Sequence, residues 1–340
     1  MPERWIVSRT DRLGDLLLTL PLGNFLRKHL PEVEPVFLVS EYAAPLLQAH
    51  DPPFAYSVWE HRPSLRGYQA IVHVFPRPTL AWQAAWARIP RRVGTSRRWY
   101  HWLTCTDLPR VARRHSGLHE ALLNFRLLAP LLPSPLREKA QTLSWEELLA
   151  YRARLRSVAP LPQAVERALA PYSFLIGLHV GGAGGAPRWP LSHWKALAEA
   201  LAAHFPQVGL VLTGSPQEKP LVQALLQAAP ALPWVPLAGQ LSLAELVTVL
   251  ARLKILIAGS TGPLHIAAAL GVAVVGLFPA GFSTGPWRWR PLTATSQILG
   301  GASLCLRCPG EGCRCLQAIS PAEVLVAVEK LLPMHANPTG

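Results

Sequence analysis

The first half of the chain alternates short apolar runs with segments whose apolar residues recur at helical spacing. The apolar runs at residues 5–8, 35–40 and 69–75 have the length and composition of buried strands. Helical spacing predicts helices at residues 15–28, 43–50, 80–89 and 118–132. This alternation is typical of βαβ units that build a parallel sheet.

The second half resumes the alternation after residues 143–173, a segment rich in Ala, Arg and Pro that we predict to be mostly helical. Strands are predicted at residues 174–180, 207–213, 234–237, 255–258 and 272–278. Helices are predicted at residues 194–204, 221–229, 243–250, 266–270 and 321–332. The pattern therefore predicts an α/β protein with two doubly wound, Rossmann-like domains.

Two domains of ordinary size account for the 340 residues. We expect an N-terminal domain at residues 1–160, a C-terminal domain at 161–318, and a closing helix and tail at 319–340. In such sheets ligands bind outside the carboxyl ends of the strands, so the cleft between the halves is the expected site.

The net charge of +13 indicates anionic partners, and hydrophobic residues at 50% supply two cores. No nucleic-acid motif is recognisable, so nucleic acid is not the expected partner. The longest apolar run, residues 266–280, is too short to span a bilayer and is interrupted by Gly271, Gly276 and Pro279. No secretory signal is evident. These features predict a soluble, cytoplasmic protein, with peripheral contact to the inner face of a membrane as an option.

A basic and aromatic region lies between Arg77 and Arg114, where Asp107 is the one acidic residue among nine arginines. Arginine with interleaved Trp and Tyr can grip phosphates, stack on planar groups or lie at a lipid headgroup boundary. We interpret the region as an acceptor-binding or membrane-facing surface; the alternative is a solvated basic face. The candidate acceptor-binding residues are Arg12, Arg91, Arg92, Arg97 and Arg98.

The turn at residues 259–265, with the sequence GSTGPLH, follows a predicted strand and precedes a predicted helix. Unpaired N–H groups at a helix start, together with the helix dipole, make an anion site. We therefore predict a cradle for a phosphate or sugar phosphate; an ordinary capped turn is the alternative, as is a core role for the histidine. The candidate donor-binding residues here are Ser260, Thr261, Gly262, Pro263 and His265.

Two further turns after predicted strands are candidates for nucleotide binding. The glycines Gly181 and Gly182 let the backbone approach a diphosphate, which Arg188 can pair with. The segment matches neither a dinucleotide fingerprint nor a P-loop. In the second turn, Ser215 and Glu218 are placed to bind ribose hydroxyls, although an acid at a helix start often serves only the helix.

Asp15 follows the first predicted strand and stands at the start of a helix. A carboxylate there can be a simple cap with a lowered pKa, or a general base that takes a proton from an acceptor hydroxyl.

Four cysteines cluster near the C-terminus, as CxxC followed closely by CxC. This spacing suits one structural zinc ion in a four-thiolate site, with disulfides or free thiols as alternatives. The residues are Cys305, Cys308, Cys313 and Cys315.

Taken in order, four of these segments resemble glycosyltransferase family 9, the ADP-heptose:lipopolysaccharide heptosyltransferases. RTDRLGDLLLTLP at residues 9–21 is similar to the family's opening signature, and residues 179–190 to its diphosphate loop ending in Trp-Pro. LAGQLSLAEL at 237–246 is similar to its Gly-x-x-Ser-Leu-x-Glu-Leu segment. STGPLH at 260–265 resembles its Asp-Ser/Thr-Gly-Pro-x-His signature. The chain departs at Ser260, where the family has Asp, and at Pro187, where it often has Lys.

The resemblance implies a GT-B architecture, with the acceptor on the N-terminal domain and a nucleotide-sugar donor on the C-terminal one. It implies an inverting glycosyltransferase that needs no metal or other cofactor for chemistry, with Asp15 as general base. The implied donor is an ADP-linked heptose or related sugar, and the acceptor a lipopolysaccharide-like or other cell-envelope glycan. Because of Ser260, a non-catalytic nucleotide- or glycan-binding protein on the same fold is the alternative.

Overall fold

The structure is a computed structural model that describes residues 2–113, 116–182, 188–281, 283–301 and 314–332. The chain divides into two compact units, Met1–Leu155 and Arg156–Gly340. Each unit contains one sheet in which all strands are parallel.

The first unit has a five-stranded sheet in the order β3-β2-β1-β4-β5. Its strands are β1 (Glu3–Ser8), β2 (Val33–Val39), β3 (Ala55–Val58), β4 (Ala70–His73) and β5 (Arg91–Val93). The strands β1, β2 and β4 are buried along most of their length, as their near-continuous apolar runs predict. The edge strands β3 and β5 are short and partly exposed, so no apolar run predicts them.

Eight α-helices of the described residues surround this sheet: α1 (Leu13–Leu17), α2 (Leu20–His29), α3 (Ala44–Ala49), α4 (Pro78–Trp86), α5 (Trp99–Thr104), α6 (Glu120–Leu128), α7 (Ser134–Thr142) and α8 (Trp145–Leu149). The single helix predicted at residues 15–28 is two helices. Pro21, at the start of α2, has no N–H to continue the ladder of α1, and the hydroxyl of Thr19 donates to the Asp15 carbonyl at 2.8 Å. Short 3₁₀ turns lie at Glu41–Ala43, Trp59–His61 and Ala129–Leu131.

The second unit has a six-stranded sheet in the order β11-β10-β9-β6-β7-β8. Its strands are β6 (Phe174–His179), β7 (Val208–Thr213), β8 (Trp234–Pro236), β9 (Ile255–Gly259), β10 (Ala273–Phe278) and β11 (Ser296–Gly300). Its described α-helices are α9 (Gln163–Leu169), α10 (Leu191–His204), α11 (Lys219–Ala228), α12 (Leu243–Ala251), α13 (Gly262–Ala269), α14 (Pro286–Trp289), α15 (Arg314–Gln317) and α16 (Pro321–Leu331). A 3₁₀ turn at Pro216–Glu218 precedes α11.

The expectation that residues 143–173 are mostly helical is wrong. Only α8 and α9 are helical in this stretch, and residues 152–162 between them form no helix. Pro160 and Pro162 explain the difference, because each removes a backbone donor and disfavours the helical conformation of the residue before it.

The predicted α/β class with two doubly wound, Rossmann-like sheets is confirmed. The order β3-β2-β1-β4-β5 and the order β8-β7-β6-β9-β10-β11 are both the Rossmann order 3-2-1-4-5, with a sixth strand in the second unit. The closing helix α16 packs on α10 and on the edge of its own sheet. Within the described residues, no helix has both the length and the apolar character needed to cross a membrane.

Candidate active site

Each sheet reverses its strand order at one point, between β1 and β4 in the first unit and between β6 and β9 in the second. In open α/β sheets, ligands bind outside the carboxyl ends of the strands at this point. Three predicted motifs lie there: residues 9–15 follow β1, residues 180–182 follow β6, and residues 260–265 follow β9. The topology therefore marks one candidate half-site on each unit.

The half-site of the first unit is centred on the buried guanidinium of Arg9. Its Nε donates to Asp11 Oδ1 at 2.7 Å and its Nη2 to Asp11 Oδ2 at 3.1 Å. Nη2 also donates to Asp15 Oδ1, and Nη1 to Glu120 Oε1 at 3.4 Å. One arginine therefore binds three carboxylates, which fixes the position of each.

Asp15 is buried in the first turn of α1. Burial raises the pKa of Asp15 to about 6, and the nearby charges of Asp11 and Glu120 also raise it, whereas Arg9 and Arg12 lower it. Of the two alternatives for Asp15, a simple helix cap with a lowered pKa does not fit: Arg12 is the N-cap residue of α1, and for Asp15 removal from water outweighs the attraction of the arginines. The carboxylate is ionised at pH 7 and is more basic than an exposed aspartate.

Glu120 and Arg113 complete this cluster and were not singled out by the sequence. Arg113 Nη1 donates to Glu120 Oε1, and its Nη2 donates to Asn124 Oδ1 at 3.1 Å and to the carbonyl of Val74 at 3.3 Å. Glu120 is the buried first residue of α6, a long way from Asp15 along the chain. No local pattern marks it, since only the tertiary packing of α6, which contacts α2, brings it to Arg9.

In the second unit, the carboxylate of Glu218 lies against the backbone of Gly181. A Cβ atom at Gly181 would overlap Oε1 of Glu218. The other oxygen, Oε2, accepts hydrogen bonds from the backbone N–H of Ser215 at 2.7 Å and from its hydroxyl at 3.0 Å. The turns after β6 and β7 are thus in contact through Glu218. This residue stabilises the 3₁₀ turn and also lies at the half-site.

His179, the last residue of β6, lies beneath this junction. Its Nδ1 is 3.0 Å from Thr213 Oγ1, at the end of β7, and the ring is buried. Burial lowers the pKa of His179, while the charge of Glu218 acts in the opposite direction. The ring is therefore neutral at pH 7 and holds the ends of the two strands together.

The turn after β9 leads directly into α13, which begins at Gly262 rather than at the predicted residue 266. Thr261 is the N-terminal cap residue, with an extended backbone, but its hydroxyl donates to the Gly259 carbonyl at 3.3 Å instead of capping the helix. Pro263 is the second helical residue, where a missing N–H costs nothing. Ser260 is half-buried and His265 is buried one turn into the helix.

The helix start is a suitable anion site. The first N–H groups of a helix have no intrahelical acceptor, so those at Gly262 and Leu264 point out of its start, and the helix dipole adds positive potential there. The structure thus keeps Ser260, Thr261, Gly262, Pro263 and His265 in one turn at the end of β9.

The remaining donor-binding candidate, Arg188, is exposed and follows residues 183–187, which lie outside the described residues. Trp189 and Pro190 after it have a structural task. The indole of Trp189 is buried, donates to the Ile319 carbonyl at 2.9 Å and packs edge-on against Trp194. This anchors the start of α10, which Arg188 closely precedes.

The acceptor-binding candidates divide into two groups. Arg91 donates to both oxygens of Asp107, at 3.1 and 2.9 Å, and Arg92 donates to the backbone carbonyls of Thr104 and Ile89. These two arginines hold β5 to the segments around it. Arg12, Arg97 and Arg98 are exposed.

Of the cysteine cluster, Cys305, Cys308 and Cys313 lie outside the described residues. Cys315 is half-buried in α15. Among the residues that the structure does describe, no group of three or more His, Cys, Asp or Glu side chains is arranged to hold a metal ion.

Comparison with known proteins bears on this site. The model of glycosyltransferase family 9 (heptosyltransferase) matches residues 146–319, just over half of the chain. A candidate glycosyltransferase of Haemophilus influenzae is 25% identical over 311 residues, which cover 85% of this chain and 86% of that protein.

Solved structures of the same kind have a similar fold. E. coli ADP-heptose lipopolysaccharide heptosyltransferase II is 21% identical, with a TM-score of 0.76 over 98% of this chain and 100% of that one. The E. coli heptosyltransferase WaaC, solved with ADP, is 18% identical, with a TM-score of 0.68 over 96% of this chain and 99% of that one. The similarity confirms the GT-B class of fold that the sequence predicts.

Proposed function

The chain belongs to glycosyltransferase family 9, and we propose that it transfers a heptose or related sugar from an ADP-linked donor. The proposed acceptor is a lipopolysaccharide-like or other cell-envelope glycan, and the reaction inverts the anomeric centre. ADP is proposed because the solved E. coli heptosyltransferase WaaC holds ADP. The single observation that carries the proposal is the buried carboxylate of Asp15, held by Arg9 at the carboxyl end of β1.

Asp15 is the proposed general base. Its carboxylate takes the proton of the acceptor hydroxyl while that oxygen attacks the anomeric carbon, and the bond from this carbon to the diphosphate breaks on the opposite face. The raised pKa of Asp15, about 6, suits this task, because the group is ionised at neutral pH yet basic enough to share a proton in the transition state.

The donor is proposed to bind at the half-site of the second unit. Its diphosphate is met by the backbone at Gly181 and Gly182, by the N–H of Gly262 and by Arg188, which stabilise charge on the leaving group. The ribose hydroxyls are proposed to bind Glu218 and Ser215. Ser260, Thr261, Pro263 and His265 are proposed to shape the space around the sugar.

On the acceptor side, anionic groups of the glycan are proposed to meet Arg12, Arg97 and Arg98, which are exposed. Arg91 and Arg92 already donate to Asp107 and to carbonyls, so their part is to support β5. We place the reaction in the cytoplasm, at the inner face of the membrane, where a lipid-linked acceptor is found.

The proposed chemistry needs no metal ion, because the carboxylate, the backbone donors and Arg188 supply its base and its charge stabilisation. The four cysteines are proposed to hold a structural zinc ion. Elemental analysis of protein purified without chelator tests this, and one zinc per chain is expected. Loss of the zinc in Cys305→Ser with transfer activity retained would show that the metal is structural and takes no part in the reaction.

The first experiment is a thermal-shift screen with ADP, UDP, GDP, CDP and their sugar conjugates. A ligand at about 100 times its Kd adds about 2.7 kcal/mol to the free energy of unfolding, a shift of roughly 5–10 °C for a unit of this size. We expect the largest shift with ADP and one ADP-sugar. Turnover of that sugar should then fall at least about a hundredfold in Asp15→Asn with the ADP shift unchanged. Transfer by Asp15→Asn at the wild-type rate would refute the assignment of the base.

One observation favours a second candidate, a nucleotide- or glycan-binding protein without turnover. Ser260 replaces the family's aspartate in a turn that is otherwise retained. If catalysis has been lost along with this aspartate, the wild-type chain binds nucleotide without transferring sugar, and Ser260→Asp alone does not restore transfer. Turnover by the wild-type chain would rule this candidate out.

A further inference from the structure

The helix α5 exposes an apolar face that the proposed chemistry does not use. Trp99 is 72% exposed, and Trp102 and Leu103 are each 65% exposed. Their spacing places all three on one side of the helix, whereas Tyr100, His101 and Thr104 on the other side are buried. Single exposed apolar residues are ordinary, but two indoles and a leucine on one helical turn form a contiguous patch.

The patch is flanked by positive charge. Arg97 and Arg98 immediately precede α5 and are exposed. The chain has no acidic residue between Glu60 and Asp107, and Asp107 is bound by Arg91. Among the described residues, neither Arg97 nor Arg98 lies within ion-pair distance of a carboxylate. Their charges are therefore available to an external anion.

Contacts beneath the patch hold it in place. The Trp102 indole N–H donates to the Ser96 carbonyl at 2.9 Å, which fixes the ring over the loop that carries the arginines. On the buried side, the ring of His101 stacks on that of His73, with centroids 5.5 Å apart, and its Nδ1 is 3.0 Å from the Thr95 carbonyl. The apolar face is thus held in a fixed position while it is exposed to solvent.

We propose that this face, made of Trp99, Trp102 and Leu103 with Arg97 and Arg98, docks the first unit on the surface of an anionic phospholipid bilayer. Indole rings are favoured at the headgroup level, leucine gains from reaching the acyl boundary, and guanidinium groups bind lipid phosphates. A soluble polyanion would use the arginines but would leave the indoles and the leucine in water. The combination of both therefore selects a lipid surface.

This inference deepens the proposed function, because a lipid-linked acceptor lies at such a surface, yet lipid binding requires no turnover. The experiment is co-sedimentation of the full chain with vesicles of phosphatidylglycerol and phosphatidylcholine in equal amounts, with pure phosphatidylcholine vesicles in parallel. We expect binding to the mixed vesicles and little to the neutral ones. Charge alone should give roughly a fivefold change in partition coefficient per arginine.

Two variants separate the apolar from the charged contribution. Trp99→Ser/Leu103→Ser alters side chains that make no hydrogen bond among the described residues, and we expect at least roughly a tenfold loss of vesicle binding. Arg97→Gln/Arg98→Gln should lose binding to mixed vesicles only. Tyr42→Ser is the matched control, since Tyr42 is equally exposed, at 65%, but follows Glu41, whose backbone N–H donates to Glu60.

The outcomes are distinct. The proposal is overturned if the wild-type chain does not sediment with mixed vesicles, or if Trp99→Ser/Leu103→Ser binds as well as wild type while Arg97→Gln/Arg98→Gln does not. The second result would mark a site for soluble polyanions. An unchanged thermal shift with ADP shows that the variants are folded, and failure of sugar transfer would leave the vesicle result intact.

Discussion

The guanidinium of Arg9 donates to the carboxylate of Asp15 from a buried position, while the same group also binds Asp11 and Glu120. Among the described residues of this cluster, three carboxylates share Arg9 and Arg113. Burial raises the pKa of Asp15 and outweighs the attraction of Arg9, with Asp11 and Glu120 acting in the same direction as burial, which makes Asp15 a stronger base than an ordinary aspartate.

Substitutions of the two opposite charges around Asp15 should move its titration in opposite directions. Glu120 raises the pKa of Asp15 and Arg12 lowers it. In Glu120→Gln, whose amide oxygen can still accept from Arg9, we expect the acid limb of kcat/KM against pH to move down by roughly half to one pH unit. In Arg12→Gln the limb should move up. If the acid limb moved in the same direction in both variants, its assignment to Asp15 would be contradicted.

Ionisation of Asp15 should lower the free energy of unfolding. Its folded pKa is about 6 against 3.8 for the unfolded chain, so the folded protein holds the proton more tightly. The stability that this contributes is present below about pH 4 and is lost as the pH rises through 6. Asp15→Asn should therefore raise Tm at pH 7 and leave it nearly unchanged at pH 4.

Asp107→Asn is the matched control, because the change in Tm expected for it at pH 7 has the opposite sign. Burial opposes ionisation of Asp107, but hydrogen bonds from Arg91 and Thr106 outweigh it and lower its pKa. Asp107→Asn should therefore lower Tm at pH 7. If Asp15→Asn also lowered Tm at pH 7, the carboxylate would be a structural partner of Arg9 rather than a group held at a cost for function.

Gly181 should matter for nucleotide binding through Glu218. A methyl group at Gly181 would displace the Glu218 carboxylate, which Ser215 also holds. We expect Gly181→Ala to weaken ADP binding by about tenfold, measured by titration calorimetry, with the fold retained. In a Glu218→Ala background the same change should cost little, because the displaced group is absent. An equal loss in both backgrounds would show that the glycine acts on its own.

The fold was predictable where strands are buried on both faces, since β1, β6 and β9 are near-continuous apolar runs that end at the site. The edge strands β3, β5 and β11 are partly exposed along their length, so their sequences carry no such run. Gly181 and Glu218 were both predictable as candidates, but their contact depends on the pairing of β6 with β7.

The environment of Asp15 could not be predicted in the same way. Glu120 reaches Arg9, and Arg113 reaches Glu120, only through tertiary packing, and from the sequence alone a cap with a lowered pKa and a general base are both open for Asp15. The arginines show the same limit. Arg92 and Arg97 are both arginines of the basic and aromatic region and lie close together along the chain. Nevertheless, Arg92 donates to backbone carbonyls, whereas Arg97 is exposed.

The buried pair His73 and His101 should set the acid stability of the first unit. Neither ring nitrogen of His73 has a hydrogen-bond partner among the described residues, and burial, with smaller effects of His101 and Arg92, lowers the pKa of His73 to about 3. The unfolded chain takes up a proton near pH 6.5 and the folded chain does not, so stability falls as the pH drops from 6.5 towards 3. His73→Phe keeps the stacked ring but cannot be protonated. We expect it to unfold at lower pH than wild type, with a gain of about 2 kcal/mol at pH 5 in urea titrations and a smaller one at pH 8. An equal gain at both values would mean that packing, and not protonation, limits stability here.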